Sequence, residues 1–141
     1  MSNKNDILHL LSAYGNMRRH LSLEFSQNLK PLKMGSKQAA ILYQLVTNGD
    51  QSLTSLSRAT LSDPAAITRA VQTMVKKGWV KKEEMATDQR QTLLRMTHAG
   101  EKLANQMRSI LVATMENICA DLSEKETHTL TALLNKIGSK G

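Results

Sequence analysis

The chain has 141 residues, with nineteen Lys and Arg against twelve Asp and Glu, a net charge of +7, and only 3% aromatic residues. That length suits one domain with a real core, and the scarcity of aromatics makes the core aliphatic, which favours helices over a β-sandwich. One cysteine, Cys119, excludes an internal disulfide, and no apolar run approaches the roughly 20 residues that span a bilayer, so a cytoplasmic protein with no membrane partner is expected.

A long amphipathic helix is expected from Asp6 to about Leu29, because Ile7, Leu10, Leu11, Tyr14, Met17, Leu21 and Phe25 recur at steps of three and four. Charge and polarity inside this spacing set it apart from a signal-peptide core. Asn5 or Asp6 can cap the helix and Pro31 stops it. About 24 residues at 1.5 Å rise make about 36 Å, more than a compact domain of this size needs. The helix should therefore project, with a stripe that needs a partner.

A second helix follows from Lys37 to Thr47, capped by Ser36, with Ala40, Ile41, Leu45 and Val46 inward. Asn48-Gly49-Asp50 is a turn, Leu53 can add a very short strand, and Thr54 can cap a short helix from Ser55 to about Thr60. Leu61-Ser62-Asp63 turns into another helix, with Asp63 as cap and Pro64 as its first residue. That helix runs to about Lys77, buries Ile67, Val71, Met74 and Val75, and stops at Gly78. Trp79 to Met85 and Thr92 to Met96 read as two strands of a hairpin around a polar turn. Thr97 caps a long helix reaching about Asp121, with Leu103, Met107, Ile110, Leu111, Thr114 and Ile118 on one face. Ser123-Glu124-Lys125-Glu126 is a capping box opening a last helix to about Ile137, with Leu130, Leu133, Leu134 and Ile137 on its apolar side.

The order describes a mainly α protein with a small β-hairpin wing, a winged helix-turn-helix flanked by long N- and C-terminal helices. Three units are expected: a dimerisation helix over 1–30, a DNA-binding lobe over 31–97, and dimerisation helices over 98–141.

In a helix-turn-helix the second helix lies in the major groove and its exposed N-terminal residues reach base edges. With Ile67, Val71 and Met74 buried, Ala65, Ala66, Thr68, Arg69, Gln72, Thr73 and Lys76 are left outside. Small residues at Ser62, Ala65 and Ala66 let the backbone come close; Ala65, Ala66 and Thr68 suit thymine methyls, and Arg69 suits guanine or phosphate. An ordinary amphipathic helix with a solvated face fits the same pattern. Arg90, at the hairpin tip with Asp88 beside it, suits a narrow minor groove, although in isolation a solvated loop arginine explains it as well. Between Ala66 and Arg95 seven cations stand against three anions, which concentrates positive charge on this segment.

From Leu53 to Leu103 the chain resembles the MarR family of bacterial transcription regulators. The family's wing signature is Asp-x-Arg followed by a strand ending Leu-Thr-x-x-Gly. Here it stands as Asp88-Gln89-Arg90 through Met96-Thr97-His98-Ala99-Gly100, with Met96 for the usual Leu, a volume-conserving change. Ile67-Thr68-Arg69, Val71 and Met74, ending Lys76-Lys77-Gly78-Trp79-Val80, are similar to the family's recognition helix. The resemblance implies a homodimeric repressor on a palindromic double-stranded operator. It implies contacts to bases or backbone from Ser62, Ala65, Ala66, Thr68, Arg69 and Thr73, minor-groove entry by Arg90 oriented by Asp88, and phosphate attraction by Lys81, Lys82 and Arg95. Lys76 belongs to the same candidate surface, and Glu83 and Glu84 are expected to face away.

First and last helices would form the dimer through Ile7, Leu10, Leu11, Tyr14, Leu111, Ile118, Leu130, Leu133, Leu134 and Ile137. The three apolar stripes independently exceed what the small central unit can cover; packing within a monomeric bundle is the alternative. The resemblance also implies a small anionic or phenolic ligand held between lobe and dimer helices, for which Tyr14, Met17 and Arg18 are candidates, beside the plainer reading of Tyr14 and Met17 as dimer core. Cys119 reads as a small buried hydrophobe. The scattered histidines His9, His20, His98 and His128 give no metal-ligand spacing, and no cofactor or enzyme signature is present. Two other readings stay open: a DNA-binding protein without an effector site, and a winged helix that grips an acidic protein.

Overall fold

The computed structural model describes residues 3–85 and 88–139, with side chains for these except residues 85–90. Six helices and three strands alternate as α1 (Lys4–Leu29), α2 (Ser36–Asn48), β1 (Gln51–Ser52), α3 (Leu53–Ala59), α4 (Pro64–Lys76), β2 (Val80–Met85), β3 (Asp88–Met96), α5 (His98–Ile118) and α6 (Glu124–Gly138). A 3-10 turn, Lys30–Leu32, ends α1 where Pro31 falls. The strands form one antiparallel sheet in the order β1-β3-β2. This is the expected winged helix-turn-helix, mainly α, between long terminal helices.

Local chemistry explains most boundaries. Asp63 caps α4 with Pro64 at its first position, and Thr97 and Ser123 cap α5 and α6 by accepting from Gly100 and Glu126 backbone N–H groups. The Glu126 side chain returns the bond to Ser123 N–H at 2.9 Å, completing the capping box.

Three other caps differ from expectation. Asn3, not Asn5 or Asp6, caps α1, accepting from Asp6 N–H at 2.8 Å. Gly35 takes the extended cap position of α2, and Gln38 Oε1 reaches back to its N–H, so Ser36 is already helical. Ser52 rather than Thr54 caps α3 through Ser55 N–H. The reason is long-range: Gln51 and Ser52 are pinned opposite Leu94 and Leu93 as β1, so Leu53 begins the helix instead of forming a strand.

The core gathers inside the lobe. Ile41, Leu42, Leu45, Leu56, Ile67, Val71, Met74, Val80, Leu94 and Met107 are buried, with Leu29 and Met34 joining from the end of α1 and its loop. Val75 was expected inside but is exposed, because burial at Ile67, Val71 and Met74 turns the next position to the flank. On α2 the inward set is Ala39, Ile41, Leu42 and Leu45, with Ala40 and Val46 half-buried. Asn28 Nδ2 donates to Thr114 Oγ1 at 2.9 Å, tying the lower part of α1 to α5. Cys119 is half-buried just beyond α5, which ends three residues earlier than expected.

The stripes divide unevenly. On α1 only the lower end reaches the core, and Ile7, Leu8, Leu10, Leu11 and Tyr14 stand exposed. No residue of α6 is buried, and Leu130, Leu133, Leu134 and Ile137 face outward. Among the described residues no helix is long and apolar enough to cross a membrane.

Candidate nucleic-acid interface

The turn from α3 into α4 is built by short-range bonds. Ser62 N–H donates to the Ser57 carbonyl at 3.0 Å, Ser57 Oγ donates to the Ser62 carbonyl, and Thr60 Oγ1 donates to the Leu56 carbonyl. Leu61 is forced into the left-handed region, φ 51°, and is 95% exposed. Nothing in the sequence marked this residue, since leucine has no preference for such a backbone.

Asp63 then starts α4, its carboxylate accepting from Ala66 N–H at 2.8 Å. That bond holds its carboxyl below the usual range, helped by the positive charges of Arg69 and Lys37. Lys37 lies on α2 and is brought to this helix only by packing, which no local signal in the sequence marks.

Along α4, Ala65, Thr68, Arg69, Gln72 and Lys76 are exposed, while Ser62, Ala66 and Thr73 are half-buried at the margin. Thr68 Oγ1 donates to the Pro64 carbonyl at 2.9 Å and Thr73 Oγ1 to the Arg69 carbonyl at 3.3 Å. With those protons directed into the helix, each threonine offers outward its methyl and an acceptor oxygen, groups suited to a thymine methyl or a base amino group. Arg69 makes no ion pair among the described residues, so its guanidinium is open to an anion or a guanine edge.

The hairpin stands beside this helix. β2 and β3 pair from Val80↔Met96 to Glu84↔Thr92, then jump to Met85↔Asp88. β3 therefore starts four residues earlier than expected, and among the described pairs Gln89, Arg90 and Gln91 have no residue opposite them. The side chains of Asp88 and Arg90 lie outside the described residues.

Further down, the register puts Lys81 opposite Arg95 and Glu83 opposite Leu93. Alternation then sets Glu83 on the same face as Arg95. Glu83 was expected to face away, yet its Oε2 is 2.8 Å from Arg95 Nε, and Asp50 Oδ2 is 3.1 Å from the same nitrogen. Both contacts are ion pairs without hydrogen-bond alignment. Lys81 and Lys82 are exposed.

The hairpin's base is locked to α5. Thr97 N–H donates to the Trp79 carbonyl at 3.0 Å, and Gly100 lies so close that a Cβ there would overlap the Trp79 carbonyl oxygen.

A cavity of about 880 Å³ opens where the lower half of α1 meets α2 and α5. Its walls are largely apolar, from Phe25, Leu29, Met34, Met107 and Leu111, with hydroxyl and amide side chains between them and Arg108 and Glu116 as the charged groups. On α1 the wall begins at Ser22, so Tyr14, Met17 and Arg18 are not among its lining residues.

The sequence model of the MarR family matches residues 36–92, the span from α2 into β3. An uncharacterised HTH-type transcriptional regulator of Bacillus subtilis (strain 168), YwoH, is 22% identical over 125 residues, covering 89% of this chain and 90% of that protein. Among solved structures, the transcriptional regulator BldR from Sulfolobus solfataricus is similar over 100% of both chains, with a TM-score of 0.87 and 22% identity. A mutant MarR from E. coli complexed with operator DNA is similar over 97% of this chain and 99% of its own, with a TM-score of 0.81 and 22% identity.

Proposed function

We propose that this chain, whose residues 36–92 match the MarR family of transcription regulators, is a homodimeric repressor that binds a palindromic double-stranded operator and is released by a small anionic or phenolic ligand. The observation that carries this reading is α4. Three side chains bury one face, and the small, hydroxylated and basic remainder is left open beside a hairpin whose second strand opens Asp88-Gln89-Arg90. In that role Ala65, Ala66 and Thr68 touch base edges and Arg69 holds a guanine or a phosphate. Ser62, Thr73 and Lys76 line the margin, and Arg90 enters the minor groove with Asp88 beside it. The E. coli relative caught on operator DNA supports this assignment by its shared fold.

A dimer is supported by the apolar surface that one chain cannot cover. Ile7, Leu10, Leu11 and Tyr14 on α1, and Leu130, Leu133, Leu134 and Ile137 on α6, are all exposed. Leu111 and Ile118 on α5, expected at the same interface, are half-buried. Exposed stripes of this length on two terminal helices mark an association surface. A two-fold pairing would place two copies of α4 for two half-sites of one palindrome.

Release by a ligand is supported by the cavity. Its volume suits a small molecule, its walls are apolar, and Arg108 supplies a cation for a carboxylate or phenolate. Because α1, α2 and α5 all contribute walls, a ligand that prefers one spacing of these helices shifts the dimer toward that spacing and changes operator affinity by the same coupling.

Binding of the purified protein to its own upstream DNA and to a scrambled duplex, at two salt concentrations, tests the reading. Specific binding with two-fold protection is expected. Equal, salt-sensitive binding to both duplexes removes the operator. Binding to neither supports a protein-gripping winged helix.

A further inference from the structure

The loop from α1 to α2 and the first turn of α2 carry Lys33 and Lys37, with no acidic residue between Lys30 and Lys37. Met34 is buried and Leu32 half-buried, which pins the loop and leaves Lys33 outside. Lys33 holds a left-handed backbone, φ 54°, that a lysine does not favour. A long-range bond fixes it there: Lys77 Nζ, from the C-cap residue of α4, donates to the Lys33 carbonyl at 2.9 Å. The Lys77 ammonium also sits 4.5 Å from the centre of the Trp79 ring, so this brace is held from two sides.

Toward the other end of α4, Lys37 acts with Arg69 on the Asp63 carboxylate at the helix cap. α2 packs on α4, so the segment reaches both ends of that helix, with Lys33 tied to the C-cap residue Lys77 and Lys37 near enough the N-cap for its charge to act on Asp63. Both side chains are exposed, and among the described residues neither is within ion-pair distance of a carboxylate. Two free cations fixed along the flank of a helix that enters a groove suit the polyanionic edge of that groove.

We propose that Lys33 and Lys37 grip the phosphate backbone of the DNA duplex beside α4, as a second anchor separate from the hairpin. This anchor presupposes that α4 reads DNA. Phosphate contacts hold a protein in register without reading sequence, and removing any one of them lowers the salt dependence of binding.

The test is equilibrium binding of the full chain to its upstream duplex and to a scrambled one across a range of salt. Wild type, K37E, the pair K33A/K37A, and R69A are compared, with thermal unfolding of each. Both lysine variants should stay folded, K37E melting slightly lower because it brings a carboxylate toward the Asp63 cap, and both should weaken on the two duplexes by the same factor. K33A/K37A should lower the slope of log affinity against log salt by about 0.9 for each phosphate no longer neutralised. R69A should instead lose more on the upstream duplex than on the scrambled one. Should K33A disturb the strained loop and lower the melting temperature, K37E alone carries the comparison. If the lysine variants keep the wild-type slope and affinity while R69A weakens, the second anchor is wrong and the reading of α4 survives. If the wild type binds neither duplex, the DNA reading itself falls, and the anchor with it.

Discussion

Gly100 and Leu61 show how differently single residues can matter. The wing signature in the sequence includes Gly100, but the physical reason appears only when α5 is set against the hairpin and the Trp79 carbonyl fills the space a side chain would need. Gly100→Ala should destabilise the fold by about 1–3 kcal/mol, as overpacking against backbone does, and urea unfolding measures it. Leu61 is the opposite case, a strained residue whose side chain touches almost nothing. Leu61→Gly removes a left-handed penalty of about 1–2 kcal/mol and adds about 0.5–1 kcal/mol of backbone entropy, so a net gain in stability is expected in the same assay. Neither outcome can be read from local propensity, because one depends on a neighbour 21 positions away and the other on a turn fixed by Ser57 and Ser62.

At the scale of elements, the sequence was most legible where the signal is local. The α4 cap at Asp63, its proline and its three buried positions were all visible in the chain, as was the capping box of α6. It was least legible where sheet pairing decides. The start of α3 depends on β1 pairing with β3, and the early start of β3 depends on a register jump near the tip.

The α4 cap carries a pH dependence with a definite sign. The Asp63 carboxyl is held below its ordinary value, chiefly by the Ala66 N–H. Its stabilisation is therefore present above the unfolded-state value and lost as pH falls through the folded one. The melting temperature of Asp63→Asn should fall less between pH 6 and pH 3 than that of the wild type. The sheet gives a further expectation. Arg95 faces two carboxylates, Asp50 and Glu83, so much of its charge is already answered within the fold. Arg95→Ala should change the salt dependence of DNA binding less than Lys82→Ala does, in the same titration.

For the whole molecule, the three apolar stripes were plain in the sequence, but their division was not. The periodicity of α1 is continuous from Ile7 to Phe25, and only packing shows that its lower end completes the core while its upper end stays open. Leu11→Asp combined with Leu133→Asp should move the monomer–dimer equilibrium at least about 100-fold toward monomer, since burying each leucine is worth about 1.5–3 kcal/mol. Sedimentation across a range of concentrations reads that shift, and an unchanged dimer would place the interface elsewhere.

The same helix has a mechanical consequence. At 26 residues, α1 is a rod about 39 Å long. Its lower end is clamped by Leu29 in the core and by the Asn28–Thr114 hydrogen bond, and the cavity lies against its lower half. A rod held at one end magnifies small rotations at the other, so a tilt of about 5° swings the far tip by about 3 Å. In the proposed dimer, a molecule filling the cavity would push close to the fulcrum of a lever, where a displacement of ångström size would become a change of stance between the two lobes.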